Sequence, residues 1–410
     1  MLAILRNTRF RRLFLAQVVA LVGTGLLTVA LALLAYDLAG DQAGAVLGTA
    51  LAIKMIVYVT LAPLVGAAVP PGWRKPVLIA LDVVRASVAL MLPFVTEIWQ
   101  IYLLIALLQS ASAGFTPLFQ SLIPEILPDE RDYTRALSLS RLAYDLESLL
   151  SPAVAAALLT LISFHGLFAG TAVGFLLSAA LVMVVTFPAA AGPAAGSPYA
   201  RALRGMGIYL RTPSLRGLLA LNLCAAAGAA MVFVNTVVIV RGPLGGAERE
   251  VAAALGAFGA GSMLVALSLP WLLDRIADRR IMMFAAGAMV FTLICTTVAW
   301  FALGEVVGWW VVAPAWVALG MAYAGLVTPG GRLLRRAAPA ADLPFLFAAQ
   351  FSLSHACWLL AYPLAGWVGA RMGMQAALAT LSLLAATGGV VAWKLWPSTD
   401  SPNPSTNAAL

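Results

Sequence analysis

The chain has 410 residues, of which 62% are hydrophobic and 10% charged, with a formal net charge of +8. Water-soluble domains carry about 25% charged and about 45–50% apolar residues, so a soluble fold is excluded. Nucleic-acid binding is excluded too, because the basic residues flank apolar runs instead of forming one basic face.

Twelve mostly apolar stretches of roughly 20 residues or more are each long enough to cross a bilayer as a helix. They run 13–36, 43–69, 76–96, 99–127, 136–162, 166–187, 215–240, 250–272, 281–303, 307–331, 343–370 and 374–396. The opening Met1–Arg12 is short and basic and leads into a span longer than a signal-peptide core, which reads as a retained first helix. The longest polar interruption, Pro188–Leu215, starts with a flexible Ala/Gly/Pro/Ser run. It continues as Tyr199–Arg211, a basic amphipathic segment suited to lying on a membrane surface. The expected organisation is an N-terminal six-helix bundle over 1–187, a cytoplasmic linker over 188–214, a C-terminal six-helix bundle over 215–396 and a disordered cytoplasmic tail over 397–410. The fold class is an all-α membrane protein, with twelve transmembrane helices in two pseudo-symmetric bundles.

Charge fixes the orientation. With the N-terminus in the cytoplasm, 20 of the 25 basic residues fall on that side, and only Arg241, Arg249 and Arg371 lie outside; Lys54 and Arg85 are within spans. Cytoplasmic loops collect Lys and Arg, so both termini are expected inside, in a plasma (inner) membrane. Equivalent basic turns, Arg74-Lys75 after span 2 and Asp274–Arg280 after span 8, point to an internal repeat. Parallel halves with a substrate site between them are an established transporter plan.

Those turns carry a family resemblance. The segment Gly66–Lys75, GAAVPPGWRK, resembles the major facilitator motif between helices 2 and 3, G-x3-D-R-x-G-R-K. Gly66, Arg74 and Lys75 match it, Pro70 stands at the acidic position, and Asp274-Arg275 begins the second copy. The stretch Pro117–Pro128 followed by Arg135–Arg141, with the opening Asn7–Gln17, is similar to the bacterial exporter branch of that superfamily, which includes macrolide, enterobactin and nickel-resistance exporters. That branch commonly has Gly-Asp in helix 1, where this chain has Gly23-Thr24; Ser151-Pro152 stands where antiporters often have Gly-Pro. The resemblance implies the major facilitator fold and a secondary transporter.

A charge at mid-bilayer costs at least roughly 2.5–3.5 kcal/mol and so marks a candidate site. Lys54 in span 2 and Asp145 and Glu147 in span 5 lie at matching depth. A carboxylate in a partly dry cavity can exchange a proton near neutral pH, so these three are candidate coupling residues; a static ion pair between two helices is the alternative. Asp145 and Glu147 lie about 200° apart around a helix and are not expected to share a role. Asp82 and Arg85, spaced i, i+3 near the cytoplasmic end of span 3, read as a structural or gating latch with Gly66, Arg74, Lys75, Asp274 and Arg275. Cavity candidates are Thr24, Gln109, Phe115, Asn222, Tyr323, His355 and Trp358. Phe119, Phe233 and Trp316 are further apolar wall candidates, and Trp99, Trp309 and Trp310 suit an interfacial belt.

The three cysteines, Cys224, Cys295 and Cys357, all lie in spans and offer neither a disulfide framework nor a CxxC pair. No enzyme motif or phosphate loop occurs, so the drive is an ion gradient and no cofactor is expected. The leading expectation is a proton-coupled exporter of small hydrophobic or amphipathic molecules working by alternating access. The alternative is a Ni, Co or Fe exporter liganded by His355, Cys357 and Cys224. Expected partners are a small-molecule substrate, protons or another coupling ion and the bilayer, with the chain acting as a monomer. A cysteine placed at Ser197 is expected to react with an impermeant thiol reagent from the cytoplasmic side alone; labelling from outside in intact cells would overturn this topology.

Overall fold

The computed structural model describes residues 2–69, 71–127, 129–186, 198–273, 275–339 and 342–396. The first half holds α1 Thr8–Ala39, α2 Ala43–Ala68, α3 Arg74–Met91, α4 Ile98–Ile126, α5 Glu130–Leu158 and α6 Phe164–Val184. After α7, Pro198–Arg211, the second half holds α8 Pro213–Arg241, α9 Glu248–Leu273, α10 Asp278–Leu303, α11 Trp309–Val327, a short α12 Gly330–Ala337, α13 Leu343–Pro363, α14 Gly369–Met372 and α15 Met374–Leu395.

Ten described stretches are long and apolar enough to cross a membrane. One of them, Thr8–Leu61, is two helices. Gly40, at φ 52°, ends α1 in the left-handed region that glycine enters without strain, and the chain reverses there into α2. The remaining span is α5, whose charged first turns lower its hydropathy although it packs on α1 and α9. Among the described residues the helices thus build an all-α membrane fold, as expected. Span 10 is shorter than expected, because Thr328-Pro329 breaks it and sends the chain into α12.

Helix partners repeat between the halves. The pairs α1–α6, α2–α4, α3–α6, α3–α4 and α1–α5 recur as α8–α15, α9–α11, α10–α15, α10–α11 and α8–α13. Across the halves, α2 packs on α13 and α5 on α9. Lipid tails are as apolar as the helices, so contact depends on close packing and small residues. A Cβ on Gly320 of α11 would lie 1.9 Å from the Phe258 oxygen of α9, and one on Gly261 of α9 would lie 2.0 Å from the Val317 oxygen of α11. The peripheral α10 instead exposes Phe284, Phe291 and Val298, seven residues apart, as a lipid-facing stripe. Exposed Trp99 and Trp310 stand at helix starts at one end, and Trp73 and Trp393 at the other.

The α7 segment, expected to lie on the membrane surface, packs against the second half. Its apolar face docks on α13: Tyr209 is fully buried, Gly205 meets the Phe345 backbone, and Arg204 pairs with Asp342 at 2.9 Å. Residues 187–197 and 397–410 of the expected linker and tail lie outside the described residues.

Gly320→Val and Gly261→Val are each expected to cost roughly 1–3 kcal/mol or more by overpacking. Gly287→Val, on the exposed face of α10 with no atom near its Cβ position, is expected to be neutral. Thermal melts of the detergent-purified protein check the contrast.

Candidate functional site

Lys54 lies eleven residues from the start of α2 and Glu147 eleven from the end of α5. Both therefore stand about 16 Å from the same end of the bundle, here called the far end; the opposite, basic end carries the α2–α3 turn and α12. Lys54 and Glu147 make no direct ion pair with each other, but each is the charge that acts on the other through space. Glu147 is seated against α1: a Cβ on Gly25 would lie 2.9 Å from its Oε1 and 1.9 Å from Ser151 Oγ. Glycine at position 25 is thus what admits the α5 polar residues, one place after Thr24, whose own hydroxyl is turned back to the Ala20 oxygen at 3.0 Å. The side chain of Asp145 lies outside the described residues.

The second half closes on this pair through α13. Lys54 Nζ is 5.6 Å from the centre of the Tyr58 ring, and Tyr58 lies 5.5 Å from the His355 ring and 6.1 Å from Phe351. His355 Nδ1 is 2.6 Å from the Phe351 oxygen. A carbonyl only accepts, so Nδ1 carries the proton and Nε2 keeps its lone pair. Glu147 acts electrostatically on both Tyr58 and Tyr144. Lys54, Tyr58, Tyr144, Glu147 and His355 are all only half-buried although they stand mid-bundle.

Next to this group the second half presents a chain of rings. Phe233 of α8 meets Phe258 of α9 at 5.5 Å and Trp358 of α13 at 6.3 Å; Tyr323 of α11 meets Phe258 at 5.5 Å and Trp358 at 6.3 Å; and Tyr362 lies 5.0 Å from Trp358. Tyr323, Trp358 and His355 among the cavity candidates are therefore brought into one region. Gln109 and Asn222 are buried in α4 and α8, with Asn222 Nδ2 lacking a partner among the described residues.

Other candidates move. Phe115 is buried in the first-half core, stacked on Phe119 at 5.6 Å, and Trp316 is fully buried with Nε1 donating to Thr236 Oγ1 at 2.7 Å. Asp82 and Arg85 do pair, but mid-helix and buried instead of near the basic end. The Arg85 guanidinium is held between Phe115 at 4.1 Å and Phe175 at 4.4 Å, a desolvated cation–π arrangement.

The matched basic residues share one task in the two halves. Lys75 Nζ donates to the Met183 and Val185 oxygens at 2.7 and 2.8 Å, at the end of α6. Arg279 Nε donates to the Trp396 oxygen at 3.1 Å, at the end of α15. Each puts a cation on a helix C-terminus, where free carbonyls and the dipole favour it. Arg275 instead stacks on Trp271 at 4.0 Å. Arg74 begins α3, Gly66 lies within α2 where side-chain surroundings are outside the described residues, and Asp274 is outside them altogether.

The metal set does not assemble. His355 faces α2, Cys357 Sγ faces the Leu219 oxygen of α8 at 3.8 Å, and Cys224 packs against Gly388 of α15.

Sequence reasoning missed Tyr58, Tyr144, Phe258, Tyr362 and the basic-end pair Arg336–Asp278 at 2.6 Å. Tyr58 stands one helical turn from Lys54, as Tyr362 does from Trp358, and that i, i+4 spacing was the available signal.

A family model described as Major Facilitator Superfamily matches residues 13–313 and again 218–409. The chain belongs to the major facilitator superfamily. Macrolide efflux protein A of Streptococcus pyogenes is 23% identical over 185 residues, 44% of this chain. The match spans 45% of that protein, so this chain covers less than half of its curated relative. Among solved structures, the nucleoside transporter NupG superposes with a TM-score of 0.68 at 16% identity over 94% of this chain and 98% of its own. A POT family transporter gives 0.71 at 12% identity over 94% and 95%. A bacterial homologue of the lysosomal transporter Spinster gives 0.70 at 11% over 96% and 99%. These superpositions establish the shared fold. This chain is a multi-pass membrane protein of that superfamily.

Arg85→Leu is expected to destabilise the protein by about 3–5 kcal/mol, because it leaves Asp82 charged, buried and unpaired. The double variant Asp82→Asn/Arg85→Leu is expected to be milder than the single one. Thermal melts and membrane yield check the order.

Proposed function

We propose that this transporter is a proton-coupled exporter of small hydrophobic or amphipathic organic molecules, working by alternating access between a first half over 1–187 and a second half over 215–396. The carrying observation is a mid-bundle carboxylate and amine, Glu147 and Lys54, that act on each other and reach α13 of the second half through Tyr58, 5.5 Å from His355 and 6.1 Å from Phe351. Glu147 exchanges the coupling proton, and Lys54 holds it ionised until substrate or a change of conformation alters the field between them. Tyr58 and His355 carry that change to α13, and His355 Nε2 offers an acceptor to substrate or proton. The half-buried Phe233, Tyr323 and Trp358 give the apolar part of a substrate large faces to pack against, with buried Phe258 behind them. The asymmetry assigns the polar reading to the first half and most of the apolar contact to the second.

Export is favoured by the partial match to a macrolide efflux protein. An organic substrate is favoured over a divalent metal because the thiol and imidazole candidates face three different helices. The basic bias of the loops supports cytoplasmic termini and a plasma-membrane location. Lys75 and Arg279, each capping the last helix of its half, support treating the halves as rigid units that rock against each other.

Reconstitution in vesicles with a proton gradient, screened with hydrophobic drugs and siderophores and with Ni²⁺, Co²⁺ and Fe²⁺, tests the reading. Glu147→Gln is expected to abolish gradient-driven export while the protein still reaches the membrane. Lys54→Ala with Glu147→Gln is expected to do less harm than the two single losses combined, since no unmatched charge remains. Full coupled activity in Glu147→Gln would remove the carboxylate from the mechanism, and transport of metal alone would overturn the substrate class.

A further inference from the structure

We propose that α7, the helix of the linker, is a positioning element of the site: docked on the outer side of α13, it holds the first turns of that helix so that Phe351 and His355 meet Tyr58 of the first half. Tyr209 and Arg204 are its positioning residues. The proposal rests on the reading of the Tyr58–His355 contact as part of the transport site.

A 14-residue helix is marginal in water by itself, so α7 owes its form to what it packs on. Its Gly205 and Tyr209, spaced i, i+4, share one face. A Cβ on Gly205 would lie 2.1 Å from the Phe345 oxygen, so glycine there lets the two backbones meet. Tyr209 is fully buried, and its hydroxyl donates to Gln350 Oε1. Arg204 grips Asp342, the residue before α13, with two nitrogens: Nε lies 2.9 Å from Oδ1, and a terminal nitrogen lies 3.1 Å from Oδ2. The Arg204 side chain is largely exposed, so the pair sets register more than it adds energy. The partners advance together, Arg204 with Asp342, Gly205 with Phe345 and Tyr209 with Gln350. The helix therefore runs along about 12 Å of α13.

The site uses the opposite side of the same turns. At about 100° per residue, the directions of Asp342, Phe345 and Gln350 average about 180° from those of Phe351, His355 and Trp358. Gln350, held by the linker, is joined by one peptide bond to Phe351. The Phe351 ring stacks on Tyr58 at 6.1 Å, and its oxygen accepts the His355 Nδ1 proton at 2.6 Å. Phe347 and Phe351 are 42% and 37% exposed, so the site side of these turns is loosely filled and the firm support comes from behind. Because α7 leads through Thr212 into α8, the connection from the first half enters the second at the element that backs the site.

The test uses the full-length protein in detergent and needs neither a substrate nor a proton gradient. The chain has two histidines, so His165→Gln leaves His355 as the one imidazole. Its ring C–H signals, read by NMR after histidine-selective labelling, are displaced by the ring currents of Tyr58 and Phe351; Tyr58→Leu calibrates the part due to the first half. Gly205→Val is expected to move these signals in the direction in which Tyr58→Leu moves them. In a cysteine-free background it is also expected to raise maleimide labelling of Met206→Cys, at a half-buried position of the docked helix, by roughly tenfold, as undocking releases the Tyr209 hydrogen bond. Arg204→Glu, at an exposed side chain, is expected to act the same way by setting two carboxylates together. Asp342→Arg added to it is expected to restore both readouts, and this pair carries the test should Gly205→Val fail to insert. Tyr209→Phe keeps the ring, loses the bond to Gln350 alone and is expected to move the His355 signals part of the way. Faster Met206→Cys labelling with unmoved His355 signals would make α7 a plain strut and overturn the proposal. Neither readout moving in Gly205→Val and Arg204→Glu would show that these contacts do not hold the helix and would overturn it equally. Gradient-independent transport, or transport of metal alone, would overturn the function above and leave the His355 result standing, so the two failures are distinguishable.

Discussion

No hydrophobic force holds two helices together inside a bilayer, because the lipid tails they would leave are as apolar as the side chains they would gain. Every helix contact here must come from close packing, a satisfied polar group or a glycine that lets backbones meet. The crossings of α9 with α11, of α1 with α6 and of α2 with the turn after α13 are all of the last kind. The same constraint explains α8, whose run of alanines and glycines lets neighbours enclose it on nearly every side, while α10 spends its large side chains on lipid.

Polar groups are then placed by what can satisfy them. Asp82 and Arg85 are enclosed in the first half, where each has the other and Arg85 has two ring faces; that pair reads as a structural rivet of one bundle. Lys54 and Glu147 are on different helices, only half-buried, and linked through Tyr58 to a residue of the other half. A charge pair that has settled its energetics locally resists change. A pair that interacts at a distance, within reach of water, is free to respond to a proton or a ligand. The distinction between the two sites lies in enclosure and not in charge count.

The basic loops have two physical roles at once. Collected on one face, they orient the chain in the membrane. Individually, Lys75 and Arg279 neutralise the carbonyl ends of α6 and α15, which ties the third helix of each half to its sixth. The repeat is legible in what these cations do even though the first copy of the motif has lost its acidic residue and the second its glycines.

Composition and apolar run length sufficed for the helix count, the fold class and the basic end, because insertion into a bilayer depends on local transfer free energy that each segment carries by itself. The matching depth of Lys54 and Glu147 followed from residue counting along two helices. Rotation about each helix axis did not, since it is set by neighbours. Only the packed bundle decided that Phe115 and Trp316 belong to cores, that His355 and Cys357 face different helices, and that Asp82 and Arg85 lie mid-helix within one half. The break at Pro363 was visible as a proline, but only the bundle showed the turn after it bonded to Asn235, 128 positions earlier in the chain. Sequence states what each helix can bury; the tertiary structure decides which face buries it, because that choice is made between helices far apart in the chain.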